Sequence, residues 1–227
     1  MKKLSVIMPV YNEKDTILAI IKSINDVYIP GIEKEIVLVE DFSTDGTKEL
    51  LKDLKYENLK IIYNENNSGK GASIRKGLAE AKGDFVIIQD ADLEYNPQEY
   101  KKLIEPLMRE DADLVYGSRF LRKPFIWKTY YLANRVLTLL SNIFTGFNLT
   151  DMETCYKCFS RNALEKMLPH LKANRFDIEP EITAVVAKLG LKIIEVPISY
   201  CRRSYKEGKK IGFKDSFQAI WTIIKLF

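Results

Sequence analysis

Five short apolar runs punctuate the first half of the chain. LSVIMPV (4–10), EIVLVE (35–40), LKIIY (59–63), DFVIIQD (84–90) and DLVYGS (113–118) are rich in β-branched residues and end at turn residues. The stretches between them have a different rhythm. From Lys14 to Asp26 the apolar residues Ile17, Ile20, Ile21 and Ile24 recur at helical spacing. Helices are also expected over 47–55, over 71–82, and from Pro97, since proline favours the first helical turn. Continuous apolar strands alternating with helices predict an α/β fold, a mostly parallel sheet covered on both faces. Ligands of such a sheet sit beyond the carboxyl ends of its strands.

The second half reads differently. Trp127 to Phe147 is helical and very apolar, with Arg135 as an isolated charge. A helix near 178–189 and a strand over KIIEVPISY (192–200) follow, and Pro197 points to an edge or a bulge. Segment 201–214 carries Arg202, Arg203, Lys206, Lys209, Lys210 and Lys214 against Glu207. The tail 212–227 has Phe213, Phe217, Ile220, Trp221 and Ile224 at helical spacing, an amphipathic helix. No repeat, low-complexity segment or linker divides the chain, so one domain over 1–227 is expected.

Composition narrows the function. The 227 residues are 46% hydrophobic and 29% charged, ordinary for a globular protein with a sizeable core. The net charge of +4 is too mild to predict nucleic-acid binding. Three cysteines and one histidine exclude a disulfide framework and any catalytic pair of histidines. Cys155 and Cys158 lack the second pair that a zinc site needs. The basic, apolar start is cut short by Pro9, Asn12 and Glu13, and no run of 18 apolar residues occurs. A cytoplasmic protein without a membrane span is expected.

Candidate chemistry collects at the strand ends. Asp90 and Asp92 close the fourth run two residues apart, and Glu94 follows at the same spacing. Such oxygen donors suit Mg²⁺ or Mn²⁺ bridging substrate phosphates; a solvated acidic turn is the plain alternative. Glu40 and Asp41 end the second run, where a carboxylate can accept from a nucleobase N–H. Ser43, Thr44 and Asp45 can cap the helix after it. NSGKG (67–71) is neither a Walker sequence nor GxGxxG. Its glycines can serve a tight turn, or Lys70 can meet a diphosphate at a helix N-terminus. Arg119 ends the fifth run and can clamp a phosphate bidentately. Arg135 reads either as a phosphate ligand or as half of a buried ion pair.

In this order PVYNE (9–13), EDFSTDGT (40–47), NSGKG, DAD, GSR (117–119) and DMETCYK (151–157) resemble family 2 glycosyltransferases of the GT-A fold. Within the family they are most similar to dolichol- or polyprenyl-phosphate sugar synthases, over about residues 4–225. The resemblance implies a nucleotide-sugar-binding half (1–119) and an acceptor-binding half with a membrane-proximal tail (120–227). Pro9, Tyr11 and Glu13 would line the nucleotide pocket with Glu40, Asp41 and Lys70. Asp90, Asp92 and Glu94 would hold Mg²⁺ or Mn²⁺ and the diphosphate. Arg119, Arg135 and Arg203, assisted by Lys209 or Lys210, would bind phosphates of donor and acceptor. Asp151 matches a family aspartate that either supports the site or takes part in catalysis. The family usually has two aspartates where this chain has Glu40-Asp41, which leaves the base open.

The expected reaction is inverting transfer from a GDP- or UDP-linked sugar to a polyprenyl phosphate at a membrane surface. A phosphate monoester with its second pKa near ~6 is largely dianionic at neutral pH and attacks without a general base. The apolar helices near 127–147 and 212–227 would lie at the bilayer interface, or pack as ordinary core. Three rivals stand beside this reading. A transferase acting on a saccharide hydroxyl would need a carboxylate base, Asp151 or Glu153. A sugar-1-phosphate nucleotidyltransferase would need a glycine-rich signature after the first strand, which PVYNE lacks. A non-catalytic nucleotide-sugar binder would share the pocket without turnover.

Overall fold

The computed structural model describes residues 1–121, 128–203 and 213–226. Lys209 and Lys210 lie outside them. The described residues build one seven-stranded sheet in the order β3-β2-β1-β4-β6-β5-β7. The strands are β1 (Lys2–Val10), β2 (Ile32–Glu40), β3 (Leu59–Tyr63), β4 (Phe85–Ile88), β5 (Leu114–Ser118), β6 (Lys157–Ser160) and β7 (Ile193–Pro197). All neighbours are parallel except β6, which runs antiparallel to both β4 and β5. Leu4 to Met8 of β1 and Ile36 to Glu40 of β2 are buried without alternation, as strands covered on both faces must be. The predicted architecture therefore holds.

The helices are α1 (Ile17–Asp26), α2 (Thr47–Lys52), α3 (Lys70–Glu80), α4 (Tyr100–Met108), α5 (Lys128–Thr145), α6 (Arg161–Met167), α7 (Ile178–Lys188) and α8 (Phe213–Leu226). In α1 the buried residues are Ile17, Ile20, Ile21 and Ile24, the four that set its period. α3 packs on β1 and β2, and α4 on β5, β6 and β7. Pro97 opens a short 3₁₀ turn, capped by the Asn96 side chain, that leads into α4. Pro197 ends the edge strand β7, where its missing N–H costs the ladder least. β6 and α6 fall in the stretch that the apolar pattern leaves without an element.

The antiparallel insertion matters for the site. Reversal places the N-terminus of β6 at the carboxyl edge of its neighbours, so segment 149–156 crosses that edge. The first residues of α3 and α7 and the chain after β7 arrive at the same edge.

Candidate active site

The loops after β1 and β2 are laced together first. Asn12, at φ 51°, donates its N–H to Ser43 Oγ at 2.9 Å and accepts from the Thr44 N–H at 2.8 Å. The Glu13 N–H donates to Thr47 Oγ1 at 2.9 Å. Pro9 and Tyr11 are half-buried beside this junction. Glu40 is buried and accepts from the N–H groups of Phe42 and Ser43, which shapes the turn. The N-cap position of α2 falls on Gly46, which has no side-chain cap, and Asp45 just before it accepts from Thr47 N–H at 2.9 Å and Thr47 Oγ1 at 2.6 Å.

Asp41 has a structural task that its position did not announce. Its Oδ1 accepts from Asn64 Nδ2 at 2.7 Å and Ser68 N–H at 2.8 Å, and its Oδ2 from Gly69 N–H at 2.8 Å. A carboxylate has about four acceptor sites, so one on Oδ2 is left for another donor. This anchors NSGKG. Gly69 has φ 94°, and a Cβ there would come 2.3 Å from the Asn174 carbonyl oxygen. A Cβ on Gly71 would meet the Ala173 oxygen at 2.6 Å. The glycines thus let segment 173–175 lie against the start of α3, which fixes Lys70.

Beneath the crevice, Gln89 accepts from the hydroxyls of Tyr100 and Tyr156, each at 2.7 Å, and donates to the Asp90 carbonyl at 2.9 Å. That network holds the backbone of Asp90-Ala91-Asp92. Lys70 Nζ bridges Asp90 at 3.0 Å and Glu179, on the first turn of α7, at 2.9 Å. Asp92 lies 3.3 Å from Arg203 Nη2. Burial, then the charges of Asp90 and Glu94, push the Asp92 carboxyl up to about 7. Arg203 also forks onto Glu13, at 2.9 and 3.0 Å. Glu94 is turned toward the chain after β7, where it accepts from Tyr200 Oη and, at 2.7 Å, from the Arg203 N–H. Among the described residues no three His, Cys, Asp or Glu side chains are grouped to hold a metal ion. Glu94, expected beside Asp90 and Asp92, instead tethers residues 200–203.

On the other side Arg119 forks onto Asp151, Nε and Nη2 each at 2.7 Å, and its N–H adds a third bond at 3.0 Å. Asp151 is fully buried, and Glu195 accepts from the N–H groups of Thr150 and Asp151. Two further carboxylates complete the crevice. Glu179 bears on Lys70, and Glu153 is pushed up to about 7 by burial and then by Glu179, against the pull of Lys157 and Arg119. Lys157 is fully buried, donates to the Met152 and Thr154 carbonyls, and is held below the usual lysine range by burial. Glu179 was missed at sequence level. Its one signal is an acid on the first turn of a wholly buried helical stretch. Arg135 is exposed on α5, not buried, with Leu132 and Leu139 on the same face.

A mostly parallel sheet with one antiparallel strand, carrying an aspartate pair at the end of a central strand, is the GT-A glycosyltransferase fold. The chain belongs to glycosyl transferase family 2, whose model matches residues 5–178. It is 30% identical over 226 residues to an uncharacterised protein of Methanocaldococcus jannaschii, covering 95% of this chain and 90% of that one. It is 27% identical over 246 residues to the UDP-N-acetylglucosamine–dolichyl-phosphate N-acetylglucosaminyltransferase of Methanococcus voltae, covering 99% and 96%. Among solved structures it resembles glucosyl-3-phosphoglycerate synthase from Mycobacterium tuberculosis in complex with Mn²⁺, UDP and glucosyl-3-phosphoglycerate. That match has a TM-score of 0.74 and 22% identity, over 99% of this chain and 80% of that one. The same enzyme has been crystallised with Mg²⁺ and UDP.

Proposed function

We propose that this glycosyltransferase moves a sugar, with inversion, from a nucleoside-diphosphate sugar to a polyprenyl phosphate at a membrane surface. The observation that carries the lipid acceptor is an exposed apolar stripe on α5, the helix that follows the Arg119 strand. Leu132, Val136, Leu139 and Ile143 are 62%, 51%, 61% and 69% exposed on one side of it. Trp221 and Ile224 on α8, which packs against α5, are also exposed. No helix among the described residues is long and apolar enough to cross a membrane. An amphipathic face beside basic residues suits the interface instead. The Methanococcus voltae relative, named for a dolichyl-phosphate acceptor, supports the same reading.

The donor would lie over residues 1–119, between PVYNE, Asp41 and the DAD turn, with the acceptor phosphate on the 120–227 side. The donor set fits a divalent cation: two half-buried carboxylates, one of them pushed up by desolvation and then by its acidic neighbours, gain from a positive charge. Asp90 and Asp92 would hold that ion, and bound there it would stabilise charge on the departing diphosphate. Lys70 lies against Asp90, ready to add its charge on the same side. Arg203, its fork held by Glu13, and Arg119, its fork held by Asp151, would bring two guanidinium charges toward phosphate oxygens without offering a free bidentate clamp. Lys209 and Lys210 are kept as assisting cations. With Asp151 fully engaged by Arg119, a phosphate nucleophile that needs no base suits the site.

A second reading has one observation in its favour. Glu153, pushed up to about 7, is poised as the base that a saccharide hydroxyl would require. A transfer assay separates the two. Purified protein with Mg²⁺ or Mn²⁺, labelled UDP- and GDP-sugars and a short polyprenyl phosphate should give solvent-extractable label with one donor. Nucleoside diphosphate released only with saccharide acceptors would refute the lipid-phosphate reading.

A further inference from the structure

Two carboxylate oxygens in the crevice have no hydrogen-bond donor among the described residues: Glu153 Oε1 and Glu179 Oε2, both sealed from solvent. Leaving a buried charged acceptor unsatisfied is costly, and native folds seldom do so without a ligand or water to complete it. Glu179 is not a loose side chain. It is 8% exposed, and its other oxygen is held by Lys70 at 2.9 Å. It sits on the first turn of α7, where the helix N-terminus favours negative charge. Glu153 stands two residues after Asp151, within electrostatic reach of Glu179, Lys157, Arg119 and Asp151.

The two carboxylates therefore neighbour two charged pairs with different tasks: Glu179 bears on Lys70, and Glu153 feels Arg119 and Asp151. Lys70–Asp90 is on the side assigned to the donor diphosphate. Arg119–Asp151 is on the side assigned to the acceptor. On that assignment a glycosyl unit passing from donor to acceptor would be handed across between these pairs. A glycosyl unit presents several hydroxyl donors, and above about pH 7, where Glu153 is ionised, both carboxylates offer acceptors alone. We propose that Glu153 Oε1 and Glu179 Oε2 accept hydrogen bonds from hydroxyls of the transferred sugar and select which sugar is carried. The inference rests on the nucleotide-sugar donor reading, and extends it to two carboxylates, Glu153 within DMETCYK and Glu179 outside every motif, to which the resemblance gave no sugar-binding role. Polar pairing of this kind discriminates strongly, because a sugar with the wrong hydroxyl leaves a buried charge unmatched.

The test is equilibrium binding by calorimetry on the full chain with Mg²⁺. The probes are UDP and GDP, and UDP-glucose, UDP-N-acetylglucosamine and GDP-mannose. Wild type is compared with Glu153→Gln and Glu179→Gln. Glu153→Gln is the cleaner variant, because Glu179 also holds Lys70. It should bind the bare diphosphate within about twofold of wild type. The ratio of sugar-linked to bare affinity should fall about fivefold or more, as a charge-assisted hydrogen bond becomes a neutral one. The ranking among donors should change as well. An unchanged ratio and ranking in both variants would overturn the proposal. So would equal losses for bare and sugar-linked nucleotides, which would mark the pair as scaffolding for Lys70. Loss of transfer to a hydroxyl acceptor with the sugar ratio intact would make Glu153 a base and overturn the proposal. A wild type that binds no nucleotide would instead remove the donor reading beneath it.

Discussion

Replacing Glu153 by glutamine should change how stability depends on pH, and the size follows from the site. In the unfolded chain this carboxyl titrates near its ordinary 4.5, and in the fold it titrates near about 7. Burial is the largest cause and the Glu179 charge the next. Between those two pH values the unfolded chain has released the proton while the folded chain keeps it. The folded state then binds more protons, so stability falls as pH rises through this window. Below about 4.5 both states are protonated and above about 7 both are ionised, so the slope vanishes outside it. At about 1.4 kcal/mol per pH unit the window is worth at most about 3.5 kcal/mol. Proton sharing with Glu179 would spread the change over a wider range without reversing its sign. Glutamine cannot ionise, so Glu153→Gln escapes this loss.

The quantity to measure is the stability difference between variant and wild type, from reversible urea unfolding at pH 4.5, 6 and 8. Taking the difference removes the contributions of Asp92, Glu181 and Glu195, which burial also pushes up in both proteins. The variant should gain on wild type with rising pH, most of the gain falling between pH 4.5 and 7. A difference that stays flat within about 0.5 kcal/mol would refute the desolvated placement of Glu153. A difference that shrinks with pH would mean that its charged form is the stabilised one.

Three further outcomes are expected. Arg119→Ala strands the buried Asp151 and should cost about 3–5 kcal/mol in urea unfolding; Arg119→Lys should recover only part, since an ammonium cannot replace the fork. Asp41→Ala removes the acceptor for three donors and should cost at least about 2 kcal/mol, with faster hydrogen exchange at the Ser68 and Gly69 amides than at the α1 amides. Leu139→Glu with Ile143→Glu alters two exposed positions, so unfolding should move by no more than about 1 kcal/mol, while binding to phosphatidylcholine–phosphatidylglycerol vesicles in flotation should drop at least about tenfold.

How far the chain could be read depended on the range of the interactions involved. β1 to β5 were legible because each is a local run of apolar residues, and α1 because its four isoleucines mark one face. β6 was not. It is four residues long, begins with the charged Lys157, and owes its place to β4 and β5, more than forty residues earlier. Lys157 is fully buried because the Met152 and Thr154 carbonyls accept its ammonium protons, an arrangement that no hydropathy pattern announces. Pro197 fared better, since a missing N–H restricts a strand position wherever the partner strand comes from.

The crevice divides along the same line. Strand ends are local features, so the positions of Asp41, Asp90, Asp92 and Arg119 around one edge could be anticipated from the order of runs. Which charge faces which could not, because those partners are distant in sequence. Glu13 and Arg203 are 190 residues apart and form a two-pronged pair. Asp41 and Gly69 are 28 apart, and that bond gives a candidate base-reading carboxylate a second task as the anchor of a loop. Residue type tells what a side chain can do, whereas its task depends on what the fold has already given it to hold. Asp151 illustrates this: as a free carboxylate it could serve as a base, but with three bonds from Arg119 its protonation would break a buried ion pair. Glu153, which the alternation of runs did not distinguish, has an oxygen for which the fold supplies no donor. Among the described residues, Glu153 Oε1 and Glu179 Oε2 are buried acceptors that the fold leaves unspent, and an incoming hydroxyl would gain by meeting them.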